Sequence, residues 1–170
     1  MKIPIILNEE KTFVEAESDE SLLTVLRRAG LLSVKCGCQK GVCGNCMVLL
    51  NDQVVKSCKV PIAIVRDCKI ETLEHFKQNP DYEIIMEGFK KAGIELCGYC
   101  NSAKIFTAYS VLYQKLDPDL SKDFHIQEAI KNLHPCCCDK STLLSGIVFA
   151  VNAKKSKGDF NNGKSSRRKR

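Results

Sequence analysis

Cys38, Cys43, Cys46 and Cys58 stand in the pattern C-x4-C-x2-C-x11-C and account for four of the chain's 11 cysteines. Clustered cysteines serve a disulfide framework, a zinc site or an iron–sulfur centre. This spacing suits a loop that wraps a [2Fe–2S] cluster and takes its fourth thiolate from a later element. Thiolate ligands bring negative charge, which a protein offsets with backbone N–H groups aimed at sulfur. Gly37, Gly41 and Gly44 fit that demand, because a residue without a side chain lets the backbone come close. Zinc is the rival, but its sites more often pair two short C-x2-C knuckles.

A second set follows. Cys97 and Cys100 form C-x2-C, and Cys136 and Cys138 form C-x-C 36 positions after Cys100. Alone, this set also suits an all-cysteine zinc site. The remaining Cys36, Cys68 and Cys137 are read as small apolar or adjacent thiols without a role. An odd total and three adjacent cysteines at 136–138 suit disulfide pairing badly, and MKIPIILNEEK has too short an apolar stretch for a secretory leader. A reducing, cytoplasmic setting is therefore expected, where clustered thiolates usually hold metal. No stretch approaches the ~18 apolar residues needed to cross a membrane. No Ser/His/Asp, phosphate-loop or paired-carboxylate motif is present, so no catalytic residue is expected; His75 and His125 are assigned to the surface, without partners.

The elements that must position these thiols divide into two halves. Residues 3–7 and 12–16 read as strands of a hairpin, followed by a helix from Ser21 that Gly30 stops. Met47–Leu50, Gln53–Val55 and Lys69–Thr72 read as further strands, giving a small mixed sheet crossed by one helix. The second half carries helical stripes at Tyr82–Lys91, Ala103–Leu116, Ile126–Leu133 and Leu144–Val151, enough for a small bundle. Leu144, Ile147, Val148 and Val151 are read as the apolar face of the last helix. Asn79-Pro80 marks the turn near the boundary.

The net charge of +6 is unevenly placed: residues 154–170 carry +7 and the remainder −1. This basic segment lacks hydrophobic periodicity and is read as a disordered tail or a docking arm. A single aromatic, Phe160, and no recognition motif accompany it, so no nucleic-acid partner is expected.

Together the two cysteine sets resemble the small iron–sulfur subunit of the molybdenum hydroxylases, the family of xanthine dehydrogenase, aldehyde oxidoreductase and carbon monoxide dehydrogenase. The family motif K-x-G-C-G-x-G-x-C-G-A-C is matched by Lys35–Cys46, C-G-F-C by Cys97–Cys100, and N-L-C-R-C-T-G-Y more loosely by Asn132–Asp139. The resemblance implies an α+β architecture: a plant-ferredoxin-like β-grasp domain over 1–76, a four-helix-bundle [2Fe–2S] domain over 77–153, and the basic tail at 154–170. It implies two [2Fe–2S] clusters, one on Cys38, Cys43, Cys46 and Cys58 and one on Cys97, Cys100, Cys136 and Cys138, with Gly37, Gly41, Gly44 and Gly98 beside them. It further implies an electron-transfer subunit of an oxidoreductase that binds no substrate itself. Molybdopterin would sit on a large partner subunit and FAD on a medium one.

Three departures stand against the family pattern. Leu96 replaces the glutamine that contacts molybdopterin, Asn101-Ser102-Ala103 replaces T-P-G, and His134-Pro135 intrudes before the C-x-C. Without a gap, His134 and Cys136 would be the ligands; with a two-residue insertion, Cys136 and Cys138. Counting from Cys138 places Leu144 and Ala150 where the family has an apolar and a small residue, which favours the all-cysteine set. A stand-alone ferredoxin-like redox adaptor, free of a molybdopterin partner, is the alternative reading.

Overall fold

The computed structural model describes residues 1–113 and 122–165, and the side chains of 1–113 and 123–156. Strand β1 (Lys2–Leu7) returns as β2 (Glu10–Glu15) through Asn8 and Glu9, at φ 50° and 70°. Two residues at positive φ match the twist of the flanking strands, which is why short polar residues occupy such turns. Asn51 and Asp52, at φ 48° and 65°, do the same between β3 (Met47–Leu50) and β4 (Gln53–Lys56). Strand β5 (Lys69–Glu71) completes the order β2-β1-β5-β3-β4, parallel to β1 and antiparallel to β3. The turn asparagines anchor that strand: Asn51 Oδ1 accepts from the Lys69 N–H at 2.8 Å and Asn8 Oδ1 from the Thr72 N–H at 2.9 Å.

Helix α1 (Leu22–Arg28) starts at Ser21, whose Oγ accepts from the Thr24 N–H at 3.3 Å, and ends with Arg27 and Arg28 in its last turn. Its buried Leu22, Leu23, Val25 and Leu26 pack with Ile3, Ile5, Val48 and Ile70 of the sheet to form one core. The opposite face of the sheet serves a second core, because successive strand residues point to opposite sides. Val48 belongs to the first core and its neighbour Leu49 to the second.

That second core is helical. It gathers α2 (Leu73–Phe76), α3 (Pro80–Lys91), α4 (Asn101–Tyr113), α5 (Lys122–Ile130) and α6 (Lys140–Ser165). Asn79 caps α3 by accepting from the Asp81 N–H at 2.9 Å, with Pro80 in the first turn. Leu73 and Phe76, placed before the expected boundary at residue 76, pack into this core. The Phe76 ring lies 5.1 Å from Phe106 and 5.0 Å from Tyr109, centroid to centroid.

Helix α4 is central: every residue from Ser102 to Ala108 is buried, so its surroundings are protein all round rather than on one stripe. Helix α6 buries Leu143, Ile147 and Ala150, while Leu144, Val148 and Val151 are only partly covered. Its inward face is therefore turned from the expected one, because Asp139 starts the helix and the contact with α3 selects small residues. The basic segment also differs from the expected disordered tail, since α6 continues through it to Ser165. Once a helix is nucleated, each further residue adds a hydrogen bond, and no proline interrupts this stretch. Lys154 fastens it: Nζ donates to the buried Asp81 at 2.9 Å and sits 3.5 Å above the Tyr113 ring, while the Tyr113 hydroxyl donates to the same carboxylate. Leu116 and residues 166–170 lie outside the described residues. Among the described residues, no helix is long and apolar enough to cross a membrane.

Candidate metal centres

Cys38, Cys43 and Cys46 of the first set occupy the loop between α1 and β3, and Cys58 follows β4 in the turn Ser57–Lys59. Cys38 Sγ accepts from the N–H groups of Lys40, Val42 and Cys43, each at 3.4 Å, and the Cys38 N–H donates to Cys43 Sγ at 3.5 Å. This N–H cradle, led by the Cys43 bond, lowers the Cys38 thiol to about 6. Such a cradle is what four thiolates on one cluster require. Gly37 is part of it, because a Cβ there would meet Cys43 Sγ at 2.8 Å. Gly41 lies against the Lys59 stem.

Cys38 is bonded to Cys43 through its N–H, and Cys46 lies beside Cys58, but the four sulfurs of this set are not gathered within 4.8 Å of one another as those of the second set are. Buried Ser57 ties the second pair, donating its N–H and its hydroxyl to the Cys46 carbonyl at 3.1 and 2.8 Å. Burial raises the Cys46 thiol above its ordinary value. Two pairs of soft thiolates with N–H donors around them fit a two-iron cluster.

The second group lies between α3 and α4 on one side and α5 and α6 on the other. The sulfurs of Cys97, Cys100, Cys136 and Cys137 all fall within 4.8 Å of one another. Cys136 is the hub, 3.1 Å from Cys97 and 2.8 Å from Cys100. Hydrogen bonds, first from the Cys100 N–H, lower Cys97 to about 6, whereas burial pushes Cys100 up. Cys138 stands outside this group and packs, partly buried, on the helical core. His134 is exposed and also outside it, though its carbonyl accepts from the Cys136 N–H at 2.9 Å. Gly98, at φ 87°, faces open space while its N–H donates to Asn101 Oδ1 at 2.9 Å.

The two groups meet through Gly44. A Cβ on Gly44 would lie 3.2 Å from Leu133 Cδ2 and 3.4 Å from Ala103 Cβ, and its φ of 77° disfavours any side chain. Leu133 precedes the Cys136–Cys138 run and Ala103 follows Cys100, so the first loop presses against the supports of the second group.

Residues 5–73 match the family of the 2Fe-2S iron-sulfur cluster binding domain. Over 117 residues the chain is 35% identical to the nicotinate dehydrogenase small FeS subunit of Eubacterium barkeri, covering 68% of this chain and 74% of that one. This chain belongs to the small iron–sulfur subunits of the molybdenum hydroxylases. It is an electron-transfer subunit of an oxidoreductase. The aldehyde oxidoreductase of Megalodesulfovibrio gigas is 31% identical over 158 residues, which cover 89% of this chain but 17% of that one. The crystal structure of quinoline 2-oxidoreductase from Pseudomonas putida 86 superposes with a TM-score of 0.75 at 26% identity, covering 91% of this chain and 96% of that one.

In this small subunit the departures from the family motif have local structural reasons. Leu96 packs against the helical core, as an apolar residue should. Asn101 holds the Gly98 N–H, and Ser102 Oγ donates to the Ser33 carbonyl at 2.9 Å, so the bend into α4 is fixed by side chains. Ser33 is also held by Glu74, whose Oε1 accepts the Ser33 N–H at 2.8 Å and whose Oε2 accepts its hydroxyl at 2.5 Å. The chain leading into the first cysteine loop is thereby clamped to α2 and α4.

His75 does not match the expectation of a histidine without partners. Its Nδ1 lies 2.7 Å from Glu71 Oε1, because β5 running directly into α2 places them four residues apart on one side. Its Nε2 lies 3.5 Å from Glu9. His125 is partly buried, not surface-exposed, and its Nε2 is buried without a hydrogen-bond partner among the described residues. Sequence reasoning missed Ser33, Glu74 and Lys104. Only Lys104 carried a signal, the one charged residue in helix α4.

The Ser33–Glu74 clamp carries a pH signature. Burial raises the Glu74 carboxyl, but the hydrogen bonds from Ser33 and Thr72 outweigh it and hold the group below its ordinary value. A depressed carboxylate adds stability above its unfolded pKa of about 4 and loses it as pH falls through the folded value. Glu74→Gln is therefore expected to lower the thermal midpoint at pH 7, and the gap from wild type is expected to narrow as pH drops below about 4. Thermal melts across that range check the sign.

Proposed function

We propose that this subunit carries two [2Fe–2S] clusters in series, the first in a β-grasp, plant-ferredoxin-like domain and the second in a four-helix bundle. Cys38, Cys43, Cys46 and Cys58 hold the first. Cys97, Cys100 and Cys136 hold the second together with one more thiolate, Cys138 by motif spacing or Cys137 by proximity. The carrying observation is the four-thiol group of Cys97, Cys100, Cys136 and Cys137 on the same chain as the N–H cradle of Cys38, the two meeting where Gly44 approaches Ala103 and Leu133. A [2Fe–2S] centre accepts one electron at a time, so two in series divide a two-electron oxidation performed elsewhere into single steps.

Electrons enter at the group of Cys97 and leave from the group of Cys38. Their donor is a molybdopterin-bearing large subunit that hydroxylates an aldehyde or N-heterocycle, and their acceptor is a FAD-bearing medium subunit. The match to 17% of the long aldehyde oxidoreductase chain supports this reading, since it confines the likeness to one segment of that protein. The chain's own residues set the conditions: N–H groups stabilise thiolate at Cys38, and the Ser57 bonds hold Cys46 beside Cys58. The reducing cytoplasm suits eleven cysteines without a disulfide framework. Leu96, turned to packing, favours the second reading, a redox adaptor without a molybdopterin partner.

Anaerobic purification with iron, sulfide and metal analysis is the test. About four iron and about four sulfide per chain are expected, with two distinguishable EPR signals after dithionite reduction. Zinc, or about two iron, overturns the two-cluster reading. Co-purification of the tagged chain with molybdenum and FAD supports the hydroxylase assembly, and recovery of the chain alone supports the adaptor.

A further inference from the structure

Lys104 is 1% exposed, in the first turn of central helix α4. Its Nζ donates to Cys137 Sγ at 2.8 Å, and Cys100 and Cys138 lie within reach of its charge. Among the described residues no carboxylate comes within ion-pair distance of Nζ. A buried ammonium is strongly unfavourable unless an anion compensates it. The anions available are the thiolates of the second group. At Cys38 of the first group the donors are instead backbone N–H groups.

We propose that Lys104 is a built-in counter-ion for the second centre, a positioning residue that raises its reduction potential relative to what the same thiolates would give alone. The inference rests on the two-cluster reading. In the dry surroundings of α4 a fixed positive charge favours the more negative, reduced state, and bulk salt screens it poorly. Reduction moves one electron from the donor to the centre, and no bond to Nζ forms or breaks. The effect does not depend on which of Cys137 and Cys138 is a ligand, since Lys104 faces both.

The test is a dithionite titration of the full, iron-loaded chain, in which dithionite is oxidised to sulfite while each EPR signal is followed. Lys104→Met removes charge and hydrogen bond; Lys104→Gln removes charge but keeps a donor. Both are expected to move the second-centre signal to lower potential by at least about tenfold in its reduction equilibrium, about 59 mV for one electron. The first-centre signal is expected to stay in place and serves as the internal reference. Lys104→Arg, which keeps the charge, is expected to restore most of the wild-type potential. An unchanged second-centre potential in Lys104→Gln, with iron retained, overturns the proposal. Loss of the centre from Met and Gln variants but not from the Arg variant supports it, and loss from all three assigns Lys104 to packing and overturns it. A wild-type chain holding zinc or about two iron fails the two-cluster reading itself, before any variant is made.

Discussion

Cys100→Ser is expected to halve the iron content and to abolish one of the two EPR signals while leaving the other intact. Cys100 is 1% exposed, and its sulfur lies 3.8 Å from Cys97 and 2.8 Å from Cys136. Serine fits the space, so the helices should stay folded; what disappears is a soft thiolate ligand, for which a hydroxyl is a poor substitute on iron. The surviving signal belongs to the group of Cys38, Cys43, Cys46 and Cys58, whose loop touches the supports of Cys100 through Gly44 and Ala103. Iron analysis and EPR on the same sample separate loss of one centre from collapse of the fold. The same readout applied to Cys137→Ser and Cys138→Ser identifies the fourth thiolate: spacing points to Cys138 and proximity to Cys137.

Gly88→Ala is expected to destabilise the helical half by about 2 kcal/mol, against the ordinary preference of helices for alanine. Alanine in an unconstrained helix interior gains about 1 kcal/mol over glycine. At Gly88 the added Cβ would lie 2.6 Å from both the Ala150 nitrogen and the Gly146 carbonyl oxygen, and 2.9 Å from Ala150 Cα. Those are backbone atoms of α6, so relief requires the whole helix to move rather than one side chain to swing. Gly146→Ala supplies the comparison: its Cβ would meet side chains rather than backbone, the flexible end of Ile94 at Cδ1, 2.8 Å away, and the Phe89 ring at Cδ1, 3.0 Å away. The urea midpoint of Gly88→Ala should therefore fall well below that of Gly146→Ala. Equal midpoints would mean that α3 and α6 part more easily than this crossing implies.

What was legible in the sequence was local. The polar stretch Asn8–Lys11 and the pair Asn51-Asp52 announce two hairpins, though the first turn closes at Asn8-Glu9 and β2 already starts at Glu10. The C-x4-C-x2-C spacing announces the first loop for the same reason: ligand geometry is written in consecutive residues. The unread features depend on residues distant in sequence. The parallel pairing of β1 with β5, the central place of α4, and the Glu71–His75–Glu9 contacts arise only when the chain has folded back. The inward face of α6 is slightly rotated from the expected one: Ile147 is fully buried and Leu144, Val148 and Val151 do pack against the core, but Leu143 and Ala150 are the more deeply buried. Close approach to Gly88 selects the narrower line through Gly146 and Ala150. The choice between Cys137 and Cys138 turns on a one-residue difference in a loop, finer than motif spacing resolves.

Strand β3 gives one side chain to each core, Val48 to the first and Leu49 to the second. Domains joined by a linker move relative to one another by default. Here the joint is a strand both halves need, so a hinge between them would expose two cores at once. Electron tunnelling weakens exponentially with separation, and a shared strand of this kind acts as a spacer of fixed length. On the two-cluster reading, the rate of transfer between the two centres would then be set by the same residues that make the halves fold as one.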